Sequence, residues 1–257
     1  FHDLGLGFEC VSPAELEHVK HLFPNLEVDR LLFTPNFAPR EEYRRGFALG
    51  ATVTLDALYP LEHWPEEFSD KEIVLRIDPG KGEGHHRYVI TAGNQSKFGI
   101  PPFEIPRVVE LIEKHNITVV GLHAHAGSGI GNTSNWSDKA MFLAGLTKHF
   151  TQLRYVNLGG GFGVPTKLGD KRLNLAEVNR SLNAFSALHP EWKIWIEPGR
   201  YLVAEAGVLL GTVSQLKSKG EKYYIGTDVG MNSLIRPSLY GAWHDIFSLS
   251  KWGEALQ

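Results

Sequence analysis

Cysteine is almost absent from this chain of 257 residues, which contains only Cys10. A single cysteine excludes an internal disulfide and any metal site built from several cysteines. It fits a reducing compartment, so we expect a cytoplasmic protein. The sequence also has no signal peptide and no apolar run long enough to cross a bilayer, so a membrane is not an expected partner.

An excess of charge of either sign is absent as well. The 26 Lys and Arg residues are balanced by 29 Asp and Glu residues, which gives a net charge of -3. This balance gives no reason to expect nucleic acid as a partner. With 42% hydrophobic residues, the chain can instead bury the large core of a globular domain.

Seven short β-rich segments alternate with helical segments, which is typical of parallel βα units. The predicted strands are 7–11, 30–34, 53–57, 73–77, 118–123, 155–158 and 193–196. The clearest predicted helices are 13–22, 104–115 and 175–188, and the first begins with Ser12 as N-cap and Pro13 at the first helical position.

After Arg200 the pattern changes to two β-rich segments, 207–216 and 222–228, with no helix between them. We therefore predict an α/β fold with two parts. Residues 1–203 would form a TIM-type (β/α)8 barrel that lacks its first strand, and residues 204–257 would begin a C-terminal β domain. Because the chain starts at Phe1 with seven βα units, we expect a piece of a longer polypeptide.

Two loops after the last predicted barrel strands have residues suited to a phosphate group. Gly159, Gly160 and Gly161 follow one strand, and glycines let successive N–H groups point at an anion. Glu197-Pro198-Gly199-Arg200 follows the next, with an arginine fork for an anion and a glutamate able to hold a proton on a ring nitrogen. Such loops are the common phosphate site of TIM barrels, although a plain glycine connection and a Pro-Gly turn remain alternatives.

His123 and His125 end the fifth predicted strand in the run His-Ala-His-Ala-Gly-Ser, and their side chains would point to the same side. One interpretation is a metal site, as in metal-dependent hydrolases, but no other strand end offers an obvious third histidine. Another is a histidine that stacks on a flat cofactor ring. A third is that both histidines are simply packed in the barrel.

The set of motifs resembles the pyridoxal-phosphate-dependent amino-acid decarboxylases with an alanine-racemase-like barrel. Within this family it is most similar to diaminopimelate decarboxylases, including the decarboxylase portion of bifunctional aspartokinase/diaminopimelate decarboxylases. The motifs that carry the resemblance are His125-Ala126-Gly127-Ser128, Gly159 to Gly161, Glu197 to Arg200, Asp228 to Asn232, and Arg236 to Tyr240.

The resemblance implies pyridoxal 5'-phosphate as cofactor and a role for each matching residue. His125 would stack on the pyridine ring, and Glu197 would pair with the ring nitrogen. The phosphate region would be held by Ser128, by the glycine loop and by Gly199 and Arg200. Arg200, Arg236 and Tyr240 would bind the carboxylate-bearing end of an amino-acid substrate. The implied reaction is decarboxylation of meso-2,6-diaminopimelate to L-lysine by a homodimer.

Two family features have no counterpart in this sequence. The family's Schiff-base lysine lies on the first barrel strand in a segment that the chain does not contain, with Lys97 as the nearest alternative. The family's catalytic cysteine belongs to the C-terminal domain, and Cys10 does not match it. We therefore expect no catalytic residue in this chain and no activity from it.

Three other functions remain open from the sequence. The same family contains ornithine, arginine and carboxynorspermidine decarboxylases, which differ at the distal end of the substrate. A metal-dependent barrel hydrolase would use His123 and His125. A non-catalytic relative would bind the cofactor or a partner without turning over a substrate.

Overall fold

The computed structural model of the chain describes residues 1–80, 82, 92–93, 96–167 and 169–249. Its central element is a parallel sheet of seven strands that lie side by side in chain order and curl into an open barrel. The strands are Phe8–Cys10 (β1), Leu31–Phe33 (β2), Thr52–Leu55 (β3), Glu72–Arg76 (β4), Thr118–His123 (β5), Tyr155–Asn157 (β6) and Lys193–Trp195 (β7). All seven predicted strands are confirmed, each within two residues.

Eight α-helices lie in the described residues. They are Pro13–Leu22 (α1), Arg40–Ala48 (α2), Tyr59–His63 (α3), Ile105–Lys114 (α4), Asn135–Ala144 (α5), Leu175–Leu188 (α6), Gly199–Val203 (α7) and Arg236–Tyr240 (α8). The three helices predicted most clearly are α1, α4 and α6. The Ser12 hydroxyl accepts a hydrogen bond from the Glu15 N–H at 3.3 Å, which confirms the predicted N-cap of α1.

The two faces of the barrel sheet differ in polarity. On the outer face, fully buried residues such as Phe33, Leu55, Leu75 and Leu122 join the core beneath the helices. On the inner face, a small apolar layer forms the floor of the barrel, with Leu32, Val74, Val120, Tyr155 and Trp195. Because strand side chains alternate, the next inward residues form a second layer at the carboxyl ends of the strands. That layer is polar.

The floor of the barrel depends on a glycine in β5. The Tyr155 and Trp195 rings stack with centroids 3.8 Å apart and planes within 11°. A Cβ at Gly121 would lie 2.4 Å from the Tyr155 ring, which is too close for any side chain. Gly121 therefore lets an aromatic pair close the barrel below the polar layer.

The segment after α7 forms an antiparallel pair of strands, Val213–Lys219 (β8) and Lys222–Thr227 (β9). The predicted β-rich change after Arg200 is thus present, but the prediction that the first strand begins at 207 is wrong. Gly207 and Gly211 lie in irregular backbone before β8, and glycine disfavours a strand interior. The division into domains at 203/204 stays a prediction, and residues 250–257 of the second one lie outside the described residues.

Candidate active site

The loop after β6 holds three consecutive glycines in a conformation that no other residue fits. Gly159 and Gly161 have φ of +63° and +88°. A Cβ at Gly160 would lie 2.2 Å from the Glu197 carbonyl oxygen, and one at Gly161 would lie 2.4 Å from the Gly127 carbonyl oxygen. The glycines are therefore required both by backbone conformation and by the close approach of two other strand ends.

His125 contacts this loop directly. Its Nδ1 accepts a hydrogen bond from the Gly160 N–H at 3.2 Å, so a neutral His125 carries its proton on Nε2. Burial lowers the pKa of His125 to about 3. The imidazole is consequently uncharged at neutral pH, which suits a ring that stacks on a flat partner.

Glu197 occupies the strand end beside the glycine loop. Its Oε1 accepts a hydrogen bond from the Asn157 side-chain amide at 2.7 Å, and its Oε2 lies 3.6 Å from His123 Nε2. Burial raises the pKa of Glu197, but His123 beside it and the hydrogen bond from the Asn157 amide hold the pKa below its ordinary value. The carboxylate is therefore ionised and held in place at the mouth of the barrel.

Arg200, at the start of α7 after β7, contacts the loop after β5. Its Nη2 donates a hydrogen bond to the Ser128 hydroxyl, while its Nε is buried and has no hydrogen-bond partner in the described residues. Burial and the nearby Arg236 charge lower the pKa of Arg200. Gly199 precedes Arg200 at the start of α7, where a Cβ would meet nothing within 4 Å. An anion at this point would meet a buried guanidinium.

A cavity of about 350 Å³ opens beside Arg200. Arg236 from the start of α8 also lines it, together with Gly129, Asp170 and Trp243. Arg236 and Tyr240 are the first and last residues of α8. Tyr240 is not among the residues that line this cavity, whereas the two arginines converge on it.

Two polar residues of the inner layer, Arg76 and Asn157, were not predicted from the sequence as part of the site, and they flank His123, which was predicted only as a possible metal ligand. Arg76, His123 and Asn157 are paired in register across β4, β5 and β6, and all three are buried. Arg76 lies over the Phe98 ring, with its Cζ 4.5 Å from the centroid. The signal that could have found Arg76 and Asn157 is period-2 alternation: each is a polar residue two positions after an inward apolar residue.

The cysteine and the lysine weighed from the sequence, Cys10 and Lys97, differ in burial. Cys10 is buried in the outer core, and burial raises the pKa of its thiol to about 12. The expectation that Cys10 is not the family's catalytic cysteine is consistent with this position. The Lys97 side chain is exposed, with Nζ 5.6 Å from the Phe37 ring centroid.

The hydrolase alternative gains a third potential metal ligand from the fold. His123, His125 and Glu197 each offer one ligand atom, and these atoms lie within 4.8 Å of one another. The third ligand is a carboxylate from the end of β7 and not a third histidine. The same three groups suit a protonated aromatic nitrogen equally well, so geometry alone leaves both chemistries open.

The fold and the site define a class: an α/β barrel with an anion-binding glycine loop and an ionised carboxylate at the mouth. Residues 1–204 match the family model described as "Pyridoxal-dependent decarboxylase, pyridoxal binding domain". This match covers most of the chain, and the chain belongs to this family. The resemblance and the cofactor type inferred from the motifs are thereby confirmed.

Individual relatives are diaminopimelate decarboxylases. The enzyme of Escherichia coli K12 is 29% identical over 261 residues, which cover 98% of this chain and 62% of the relative. That of Methanothermobacter thermautotrophicus is 31% identical over 254 residues, covering 94% and 59%. The crystal structure of the Helicobacter pylori enzyme complexed with L-lysine has a TM-score of 0.80 at 26% identity, covering 93% of this chain and 62% of that one. The chain therefore spans about three fifths of the length of these relatives.

The residues present fit pyridoxal 5'-phosphate. Glycine positions that leave no space for a Cβ line the phosphate end, and the buried Arg200 Nε has no hydrogen-bond partner in the described part of the chain. Both ring nitrogens of buried His123 also have no hydrogen-bond partner in the described part of the chain, so a polar atom of a ligand beside Glu197 has a group to bond with.

A search of the described helices finds no segment with the length and hydropathy of a membrane span.

Proposed function

We propose that this chain is the cofactor-binding part of a carboxy-lyase that converts meso-2,6-diaminopimelate to L-lysine by removing the carboxyl group from the D-centre. The observation that carries the proposal is the partly buried Glu197 carboxylate, which is hydrogen-bonded to Asn157 and lies beside the three-glycine loop, together with His125, which accepts the Gly160 N–H. The similarity to diaminopimelate decarboxylases supports the choice of substrate.

The proposed mechanism divides the tasks among the residues of the site, and Arg200 takes part in binding both the phosphate and the substrate. When bound, pyridoxal 5'-phosphate supplies an electron sink for the electrons left when carbon dioxide departs. Glu197 would accept a hydrogen bond from a protonated ring nitrogen, and Asn157 holds the carboxylate in place for it. His125 presents an uncharged ring face, so it adds no competing positive charge next to that nitrogen. The glycine loop, Ser128 and Arg200 hold the phosphate.

The arginine pair favours diaminopimelate over its rivals. Arg200 and Arg236 line one cavity, and the Arg236 charge is felt at Arg200. The distal end of diaminopimelate has a carboxylate for these guanidinium groups. Ornithine and arginine end in a cation only, which two arginines would repel. Tyr240 on α8 is proposed to assist from the next turn.

We further propose that the protein acts in the cytoplasm as a homodimer and that this chain by itself releases no carbon dioxide. The proposal of inactivity rests on the strand ends that meet at the site, because none of the seven described barrel strands ends in a lysine. The two-domain division at 203/204 and a fused aspartokinase remain part of the same proposal.

The test is an absorbance titration of the chain with pyridoxal 5'-phosphate, followed by borohydride reduction and intact mass. We expect saturable binding without a reducible adduct, and no carbon dioxide from diaminopimelate. A covalent adduct, with Lys97 the first candidate, would overturn the proposed inactivity. No binding of the cofactor, or stoichiometric zinc in the purified protein, would contradict the proposed function itself.

Substrate choice is tested separately with the cofactor-loaded chain. Calorimetry should show tighter binding of diaminopimelate than of ornithine, and Arg236→Met should remove that preference while leaving cofactor affinity unchanged. Equal affinities for the two amino acids in the unsubstituted protein would contradict the substrate proposal.

A further inference from the structure

Helix α5 lies behind the glycine loop and contacts it with two buried side chains. Trp136 is fully buried, and its Nε1 donates a hydrogen bond to the Gly160 carbonyl at 3.2 Å. Lys139 is 3% exposed, and its Nζ donates to the Leu158 carbonyl at 2.5 Å. A buried ammonium group is costly and rare, so its position calls for a physical reason.

All four successive carbonyls of this loop are held by donors of the protein. Besides the two contacts from α5, the Gly159 carbonyl accepts from the Glu197 N–H at 3.0 Å, and the Gly161 carbonyl accepts from the Ile130 N–H at 2.8 Å. In a trans peptide group the N–H points away from the C=O. Each held carbonyl therefore fixes the direction of the N–H in the same peptide group.

Two of those N–H groups organise the ring end of the site. The Gly159 N–H donates to Asn157 Oδ1 at 2.9 Å, and the Gly160 N–H donates to His125 Nδ1. The Gly159 N–H belongs to the peptide group whose carbonyl Lys139 holds. Lys139 is thus connected through one peptide group to Asn157, and through the Asn157 amide to Glu197.

The remaining N–H groups serve the anion end. The Gly161 N–H belongs to the peptide group whose carbonyl Trp136 holds, so it is directed away from α5. The Phe162 N–H belongs to the peptide group whose carbonyl is held by the Ile130 N–H. Successive N–H groups with positive φ at alternate residues form a concave site for an anion. The Lys139 charge lies behind this concave site, where it attracts the same anion.

We propose that Lys139 is a positioning residue for the phosphate group of the cofactor: its buried ammonium orients the glycine loop and adds positive charge behind it. The inference rests on the proposed function, because it takes pyridoxal 5'-phosphate as the ligand. It assigns Lys139 no contact with substrate or with the reacting atoms.

The test compares two probes that differ only in the phosphate group, pyridoxal 5'-phosphate and pyridoxal. Their dissociation constants are measured by absorbance titration for the unsubstituted chain and for Lys139→Met. We expect the substitution to weaken pyridoxal 5'-phosphate binding by about tenfold or more, because the loop loses a hydrogen bond that orients it and the anion loses a nearby positive charge. Pyridoxal binding should stay within about twofold, since it lacks the anion.

Two further variants separate charge from structure. Lys139→Arg keeps the charge and should restore the preference for the phosphorylated probe, whereas Lys139→Gln keeps a donor without the charge and should not. If Lys139→Met fails to fold, the comparison of Lys139→Arg with Lys139→Gln is sufficient to test the inference. Exposed Lys148, a few residues after α5, provides the control: Lys148→Met should behave as the unsubstituted chain.

Three outcomes would overturn the inference. Equal weakening of both probes by Lys139→Met would show a merely structural role, and no weakening of either would show no role. A Lys139→Gln variant that keeps the full preference for pyridoxal 5'-phosphate over pyridoxal would show that the Lys139 charge is not the cause of that preference. If the unsubstituted chain binds neither probe, the proposed function and the inference both fail. If the unsubstituted chain binds pyridoxal 5'-phosphate and only the Lys139 variants depart from expectation, the inference alone fails.

Discussion

His123 and His125 show how a residue's surroundings decide its chemistry. Both side chains point into the mouth of the barrel, where burial lowers the pKa of each. Glu197 opposes this shift but does not cancel it. An uncharged histidine can accept the Gly160 N–H, whereas a protonated one could not, so the neutral state of His125 and the loop conformation depend on each other.

The depressed pKa of His125 predicts acid sensitivity. The unfolded chain takes up a proton near the ordinary pKa of 6.5, but the folded chain does not until about 3. Below pH 6.5 the unfolded state therefore binds more protons, and stability present above that pH is lost as the pH falls. The contribution of one such group is at most about 1.4 kcal/mol per pH unit.

Replacing His125 should reduce this dependence. We expect His125→Gln to lose less unfolding free energy between pH 6.5 and 5 than the unsubstituted chain, as measured by urea denaturation at a series of pH values. Exposed His21 on α1 serves as the control, and His21→Gln should keep the original slope. Identical slopes for His125→Gln and the unsubstituted chain would show that His125 is protonated in the folded protein.

Among the structural elements, the sequence predicts the helices and strands more completely than it predicts the loops after the strands. The α6 pattern predicts residues 175–188, and the helix spans Leu175–Leu188. The glycine loop was predicted as an anion site, yet the reason that each glycine is required is tertiary. Gly160 is needed because the carbonyl of Glu197, from a neighbouring strand end, approaches it.

Gly160→Ala should therefore remove cofactor binding. Its Cβ would lie 2.2 Å from backbone, which cannot give way as a side chain can, so the loop or the Glu197 strand end must shift. We expect at least tenfold weaker binding of pyridoxal 5'-phosphate in equilibrium dialysis, corresponding to about 1.4 kcal/mol. Gly131→Ala is the matched control, since a Cβ there meets nothing within 4 Å and φ is not positive.

A Gly160→Ala protein that binds the cofactor with unchanged affinity would show that the loop tolerates the shift. Such a result would weaken the assignment of this loop to the phosphate group. Far-UV circular dichroism of both variants would establish whether lost binding accompanies lost helix and strand content.

The whole molecule combines a well-packed barrel with a more open second part. The barrel sheet has β1 and β7 at its edges in the described residues. After α7, large apolar side chains are exposed: Val208 is 89% exposed and Ile246 is 93% exposed. Leu216 and Ile225 form a cross-strand pair on β8 and β9 and are 77% and 67% exposed. Contiguous apolar surface of this kind favours association.

We therefore predict that the purified chain associates with rising concentration. Sedimentation velocity should show a growing mean mass, and Leu216→Lys should reduce it because the charge opposes burial of that face. Gln215→Lys adds the same charge to the neighbouring position and serves as the control. A concentration-independent monomer would contradict the prediction.

The amino-acid sequence by itself determined the order of strands and helices, because period-2 and helical hydrophobic patterns are local properties. It also determined which residues could carry the chemistry, from the glycine triplet to Glu197 and Arg200. Only the tertiary structure decided the states of those residues. The row of Arg76, His123 and Asn157 across three strands comes from sheet register. Likewise, Lys139 reaches the glycine loop only because α5 packs behind it, and no local pattern records that contact.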